Sequence, residues 1–238
     1  MFNIELLQAI SDWQQGGNLV QKAKRGLALK KAAECLPEKF RVIHTNCYRK
    51  MALDSNAVWN IGTKYQLDET ISSWTISLDV AKQFKGGVPS RGSQGVIFQI
   101  MPTDDVEIIV NLHELFCCQE FIDFLDTNKN QIEGYQQGIG KYSNSQCEVV
   151  ISAEYIALST LIAWGGYTSP EFDLAKLYFN HEPSEAELEY FRLLMKESNL
   201  ECGKYWLTTA NAVSRISEKL KTHAERLSKV KAQRDSTE

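Results

Sequence analysis

No two of the six cysteines (Cys35, Cys47, Cys117, Cys118, Cys147, Cys202) are spaced as C-x-x-C, and the four histidines stand far apart in the chain. Neither a zinc site nor a disulfide framework is indicated, and free thiols in a reducing compartment are the ordinary state of such residues. The opening stretch, MFNIELLQAISDW, has no basic lead and sets Glu5 and Asp12 among its apolar residues. It fits neither a secretory signal nor a membrane span, so the expectation is a cytoplasmic protein with no membrane contact. At 238 residues and 43% hydrophobic content the chain is long enough to bury a full core in one or two domains. The net charge is -4, unevenly spread: residues 203–238 hold eight Lys and Arg against four Asp and Glu, a surplus of +4 that leaves -8 for residues 1–202. A basic tail on an acidic body suits a solvated helix, or one that meets nucleic acid or an acidic partner.

Periodicity divides the chain into three stretches. Helical spacing runs over 3–13 (Ile4, Leu7, Ile10, Trp13) and 18–36 (Leu19, Val20, Ala23, Leu27), separated by Gly16-Gly17 and closed by Pro37, which predicts a helical cap over 1–39. From Phe40 the pattern alternates. FRVIHTNCYRK, SSWTISL, GVIFQIM, VEIIVNL, CEVVIS and YIALSTLIAW read as strands, with helical patterns at 79–84 and 112–125, so 40–165 is expected to be an α+β domain. Helix returns over 166–238, where Ser184 and Glu187 form a capping box. Val213, Ile216, Leu220, His223, Leu227 and Val230 then make a short heptad seam, suited to packing on the body or to a partner helix.

Two candidate motifs fail on their own residues. In FIDFLDTNKNQIEGYQQG, a calcium loop starting at Asp126 would need Gly at position six and Glu at twelve, where Gln131 and Gln137 stand. The glycine-rich FKGGVPSRGSQG matches no nucleotide fingerprint, although exposed amides with Lys85 and Arg91 suit a phosphate.

Three pieces remain: CYRK with Arg49, WTISLDVAKQF with Thr75 and Ser77, and YSNSQCEVVIS with Gln146 and Glu148. A carboxylate at the mouth of an apolar strand is costly unless its charge is answered, so Glu148 calls for a purpose. In order and spacing the three resemble the arginine, S-T-S and Q-x-E motifs of the mono-ADP-ribosyltransferase superfamily, the branch with clostridial C3-like toxins, vertebrate ecto-transferases and phage-encoded transferases. The resemblance covers about residues 40–165. It implies an ADP-ribosyltransferase-like core of short mixed strands in two packed sheets, with helical extensions at both ends, and NAD as substrate.

Cleaving the nicotinamide–ribose bond develops an oxocarbenium-like cation, which a fixed carboxylate stabilises. The resemblance gives that role to Glu148 and acceptor recognition to Gln146, two residues earlier and on the same face if the strand has begun, with Cys147 pointing away between them. Arg49 would hold NAD phosphates, Thr75 would hydrogen-bond Glu148 to orient it, Ser77 would match the last serine, and Arg91 would lie in the loop that contacts phosphate and nicotinamide. Trp74 and Tyr142 suit either stacking on substrate or packing. Because Gln146 is a neutral amide and no general base, the resemblance favours a non-arginine acceptor, with nucleic acid ahead of protein. The expected role is an intracellular toxin or phage-related effector, with an antitoxin as possible partner of the helical flanks. The alternatives are an NAD glycohydrolase and an inactive module that only binds NAD or a partner.

Overall fold

The structure is a computed structural model that describes residues 2–54, 64–90, 92–102, 106–157 and 160–235. It is a mixed α+β protein with a seven-stranded antiparallel sheet and a two-stranded one. The chain forms two compact units that interleave in sequence: 1–49 with 61–84 and 98–161, and 50–60 with 85–97 and 162–238.

In the first unit, α1 (Ile4–Gln14) starts where Asn3 accepts from the Leu6 amide, and α2 (Leu19–Ala33) starts with a capping box between Asn18 and Gln21. α1 buries Leu6, Leu7, Ile10 and Trp13. Leu19, Val20 and Leu27 of α2 remain exposed. Gly26 lets α2 approach closely, since a Cβ there would come within 3.0 Å of Ile71 and 3.2 Å of Trp13. The stretch from Phe40 is expected as a strand, but residues 41–46 are irregular and β1 begins only at Cys47 (Cys47–Asp54).

Three strands of this unit and the first residues of β1 lie in the order β5 (Glu107–Asn111), β6 (Glu148–Ser152), β3 (Ile71–Thr75), β1. β2 (Lys64–Gln66) pairs with β7 (Tyr155–Ala157) to make the small sheet. α3 (Leu78–Gln83) follows β3. The single helix expected over 112–125 is two, α4 (Leu112–Cys117) and α5 (Gln119–Asn128), because Cys118 takes extended backbone (φ -89°, ψ 115°) and starts the second. A short α6 (Ile139–Tyr142) precedes β6. Around α1 the core gathers Leu6, Leu7, Ile10, Leu29, Phe40, Leu115, Phe121 and Ile139. Phe2 meets the rings of Phe121 and Phe40 at centroid distances of 5.2 and 5.9 Å, an aromatic cluster that seats the N-terminus.

In the second unit, β8 (Leu161–Tyr167) pairs antiparallel with β9 (Lys204–Leu207). β4 (Ser93–Ile100) contributes Gln94, which donates to the Gly165 carbonyl at 3.0 Å. β9 lies inside the stretch expected to be all helix. α7 (Glu171–Phe179) and α8 (Glu185–Glu197) are joined by Arg192 to Glu171 at 2.8 Å and by Tyr178, Phe179 and Phe191. Ser184 and Glu187 make the expected capping box. The heptad seam falls in α9 (Ala210–Asp235) and is divided: Val213 is buried, Ile216 and Leu220 are half-buried, while His223, Leu227 and Val230 are exposed.

Candidate functional site

β1, β3 and β6 are neighbours in the first unit, with Tyr48 opposite Thr75 and Thr75 opposite Glu148. Side chains alternate along a strand, so Ile71, Ser73 and Thr75 share one face with Glu148 and Val150. The C-terminal end of α1 reaches that face. Trp13 Nε1 donates to Glu148 Oε1 at 2.8 Å and Gln14 Nε2 to Oε2 at 3.2 Å, while Ser73 Oγ donates to Oε1 at 2.5 Å. The carboxylate is 4% exposed and answered by three donors, which meets the cost of placing a charge at a strand mouth.

The hydrogen bond expected from Thr75 to Glu148 is therefore made by Ser73. Strand alternation puts hydroxyls at both 73 and 75 on the Glu148 face; the register sets Thr75 directly opposite Glu148, but its hydroxyl is engaged by the turn, and the diagonal neighbour Ser73 makes the bond. Thr75 Oγ1 instead donates to the Gln146 carbonyl at 2.7 Å and accepts from the Ser77 amide at 3.1 Å. Ser77 spends its own hydroxyl as N-cap of α3, accepting from Val80.

Arg49 reaches the same serine from the other side. Its Nη1 donates to the Ser73 carbonyl at 2.8 Å and its Nη2 to Glu69 at 3.4 Å, while Lys22 of α2 holds Glu69 at 2.5 Å. Burial pulls the Arg49 guanidinium below its ordinary value, against the pull of Glu69. Burial pushes the Glu69 carboxyl up, but the Lys22 hydrogen bond and the Arg49 and Lys22 charges outweigh it and hold it below the usual carboxylate value. Two buried polar atoms flank the group without a hydrogen-bond partner among the described residues, the acceptor Gln14 Oε1 and the donor Arg49 Nε.

Gln146 is not on the strand. Residues 143–146 form a turn and β6 begins at Glu148, so the two-residue alternation expected to put Gln146 and Glu148 on one face has no strand to run along. Cys147 has φ 44° and Ser143 φ 38°, left-handed values that non-glycine residues adopt at a cost. The turn is held by its backbone: Thr75 takes the Gln146 carbonyl, and the Ile76 amide takes that of Cys147 at 3.1 Å. Gln146 is half-buried, and its side-chain amide has no hydrogen-bond partner among the described residues.

Trp74 points to the opposite face, 2% exposed, with its indole N–H on Ser72 Oγ, a packing residue. Tyr142 is half-buried beneath the Lys141 ammonium, 5.1 Å from its ring centroid. Arg91 lies outside the described residues. In the second unit, burial and then the charge of Lys85 pull the Lys50 ammonium below its ordinary value, so two cations accompany the glycine-rich loop.

A cavity of about 380 Å³ opens in the first unit between α2 and the start of β3, lined by Leu19, Leu27, Lys30, Asp68, Glu69 and Ser152. Its lining includes neither Glu148 nor Gln146, and Asp68 and Glu69 make it a poor host for a diphosphate. Among the described residues no cluster of His, Cys, Asp and Glu is arranged to hold a metal ion, and no helix is long and apolar enough to cross a membrane.

Sequence reasoning missed Ser73, Trp13, Gln14, Glu69 and Lys22. Ser73 was within reach, because Ser73-Trp74-Thr75 carries hydroxyls at the same i, i+2 spacing as Thr75-Ile76-Ser77. Trp13 and Gln14 meet Glu148 across 135 and 134 residues, a separation that no local pattern encodes. Compared with protein families, curated proteins and solved structures, the chain gives no match.

Proposed function

We propose that this chain is a mono-ADP-ribosyltransferase that moves ADP-ribose from NAD to a non-arginine acceptor, a nucleic-acid base in preference to a protein side chain, as an intracellular toxin or phage-related effector. The observation that carries the reading is Ser73, whose hydroxyl holds Glu148 and whose carbonyl holds Arg49, so that arginine, serine and glutamate from three adjacent strands meet at one residue.

On this reading Glu148 holds ribose hydroxyls in the ground state and faces the cation as the nicotinamide bond lengthens, the point at which a fixed carboxylate is worth most. Ser73 keeps that carboxylate from rotating. Arg49 offers a planar fork for a phosphate once it lets go of Glu69. The unspent Gln14 Oε1 and Arg49 Nε supply one acceptor and one donor to an incoming ligand. Gln146, anchored by its backbone with its amide unspent, addresses the acceptor. Because Trp13 and Gln14 occupy the oxygens that would meet ribose, α1 has to withdraw before reaction.

A second reading draws on the 4% exposure of Glu148: a catalytically silent fold in which the carboxylate only pins α1 to the sheet. The discriminating experiment incubates labelled NAD with cell extract, then divides the products between nuclease and protease, for wild type, Glu148→Gln and Trp13→Phe. The expected result is nuclease-sensitive label and nicotinamide release, both lost in Glu148→Gln. Protease-sensitive label moves the acceptor to protein, and nicotinamide release without label makes the protein a glycohydrolase. No NAD cleavage by wild type or by Trp13→Phe overturns the transferase reading.

A further inference from the structure

Three side chains outside the Glu148 group converge from two segments of the first unit. His113 and Cys117 stand one turn apart on α4, and Asn144 lies in the turn before β6. Asn144 Oδ1 is 2.8 Å from His113 Nδ1. A carboxamide oxygen only accepts, so Nδ1 carries the proton and the lone pair of Nε2 faces Cys117 Sγ at 3.9 Å. The other half of the same amide, Nδ2, donates to that sulfur at 3.8 Å. The thiol is exposed, while the imidazole and the amide are half-buried.

Nucleophile, base and orienting amide thus follow one another in hydrogen-bond order, the arrangement that turns a weak nucleophile into a strong one. Asn144 fixes the imidazole tautomer that can take a proton and offers a donor to the sulfur as it becomes negative. We propose that Cys117 is a nucleophilic thiol that takes up low-molecular-weight disulfides, with His113 as general base and Asn144 as positioning residue. This inference stands apart from the proposed transferase activity.

The step balances without further reagents. The Cys117 S–H proton passes to His113 Nε2 as Sγ attacks one sulfur of the disulfide and its S–S bond breaks. The displaced thiolate takes the proton back from His113 and leaves as a thiol. Cys117 and half of the reagent end as a mixed disulfide, and the other half is reduced. Asn144 sits two residues before Gln146, so the adduct forms beside the turn that leads to Glu148.

Cys35, the other exposed cysteine, is the internal reference. The full chain is treated at pH 7 with oxidised glutathione, and adducts are counted by peptide mass spectrometry over time. Cys117 should react at least about tenfold faster than Cys35, a modest return for a positioned general base. His113→Ala and His113→Gln should each bring it to the Cys35 rate, and added imidazole should restore the rate of His113→Ala without changing wild type. Asn144→Ala should slow Cys117 several-fold, with Asn144→Asp, which still accepts from Nδ1, slowing it less. Equal rates at Cys117 and Cys35 in wild type, or a Cys117 rate unchanged in both His113 variants, overturn the proposal.

Discussion

Replacing Trp13 by Phe keeps an aromatic ring in the core and removes one N–H. That N–H donates to Glu148 at 2.8 Å, and the acceptor is a buried carboxylate, the class of hydrogen bond worth about 1.5–3 kcal/mol. The smaller ring leaves a cavity worth about 1 kcal/mol more. Together these set a loss of about 3 kcal/mol in unfolding free energy, or about 6–12 °C in melting temperature for a chain of this size. Part of that loss falls on the contact between α1 and the sheet. If the closed state is favoured by about 1.4 kcal/mol less, the population with Glu148 uncovered rises about tenfold, and under the proposed function NAD cleavage should rise with it. The two readouts move in opposite directions: stability falls in calorimetry or urea titration, and nicotinamide release increases. The double variant Trp13→Phe with Glu148→Gln should show no cleavage. A melting temperature within 1 °C of wild type would refute the hydrogen bond. A folded variant with less cleavage than wild type would refute α1 as the cover of the site.

Acid should unfold the protein partly through Glu69. Its folded carboxyl is held below the ordinary value by Lys22 and Arg49, so it contributes stability above the unfolded value, near pH 4, that disappears as pH falls through the folded value. Glu69→Gln should be less stable at pH 7 and show a shallower loss in the acid limb of a urea-midpoint titration; an unchanged limb would count against the Lys22–Glu69–Arg49 chain. Burial pushes the Cys47 thiol up to about 12, which keeps it neutral at pH 8. Iodoacetamide at that pH should leave Cys47 unlabelled in the folded protein and label it in urea, as peptide mapping would show.

What local chemistry governs was legible in the sequence. Ser184 with Glu187 marks a helix start, Gly16-Gly17 and Pro37 mark breaks, and the apolar run after Cys147 marks β6. Each of these is decided within a few residues. The break at Cys118 was not legible, because it involves neither Gly nor Pro and follows from two short helices packing Leu115 and Phe121 into one core. β9 was hidden for a related reason: KYWL is four residues long and becomes a strand by pairing with β8. At the candidate site, the sequence brought forward Arg49 and Glu148 and misread their intermediary. Choosing Ser73 over Thr75 needs the turn at 146, whose carbonyl takes the Thr75 hydroxyl, and finding Trp13 needs the end of α1 to be brought to Glu148 by the tertiary fold.

Gln146 separates structure from recognition in a way that a single variant can read. Its backbone carbonyl accepts from Thr75, and the next carbonyl accepts from the Ile76 amide, so the turn keeps its anchors whatever side chain position 146 carries. The amide itself is half-buried, with no partner among the described residues. Gln146→Ala should therefore change stability by less than about 0.5 kcal/mol, as for a surface position away from caps and core. If that amide selects the acceptor, the same variant should lose most label on the macromolecule while nicotinamide release persists, since the proposed function assigns bond cleavage to Glu148 and acceptor choice to the turn. Loss of both activities in a variant of unchanged stability would place Gln146 in the cleavage step instead. Retention of both would leave the half-buried, unspent amide without a part in acceptor choice, and the acceptor would then have to be recognised from another surface.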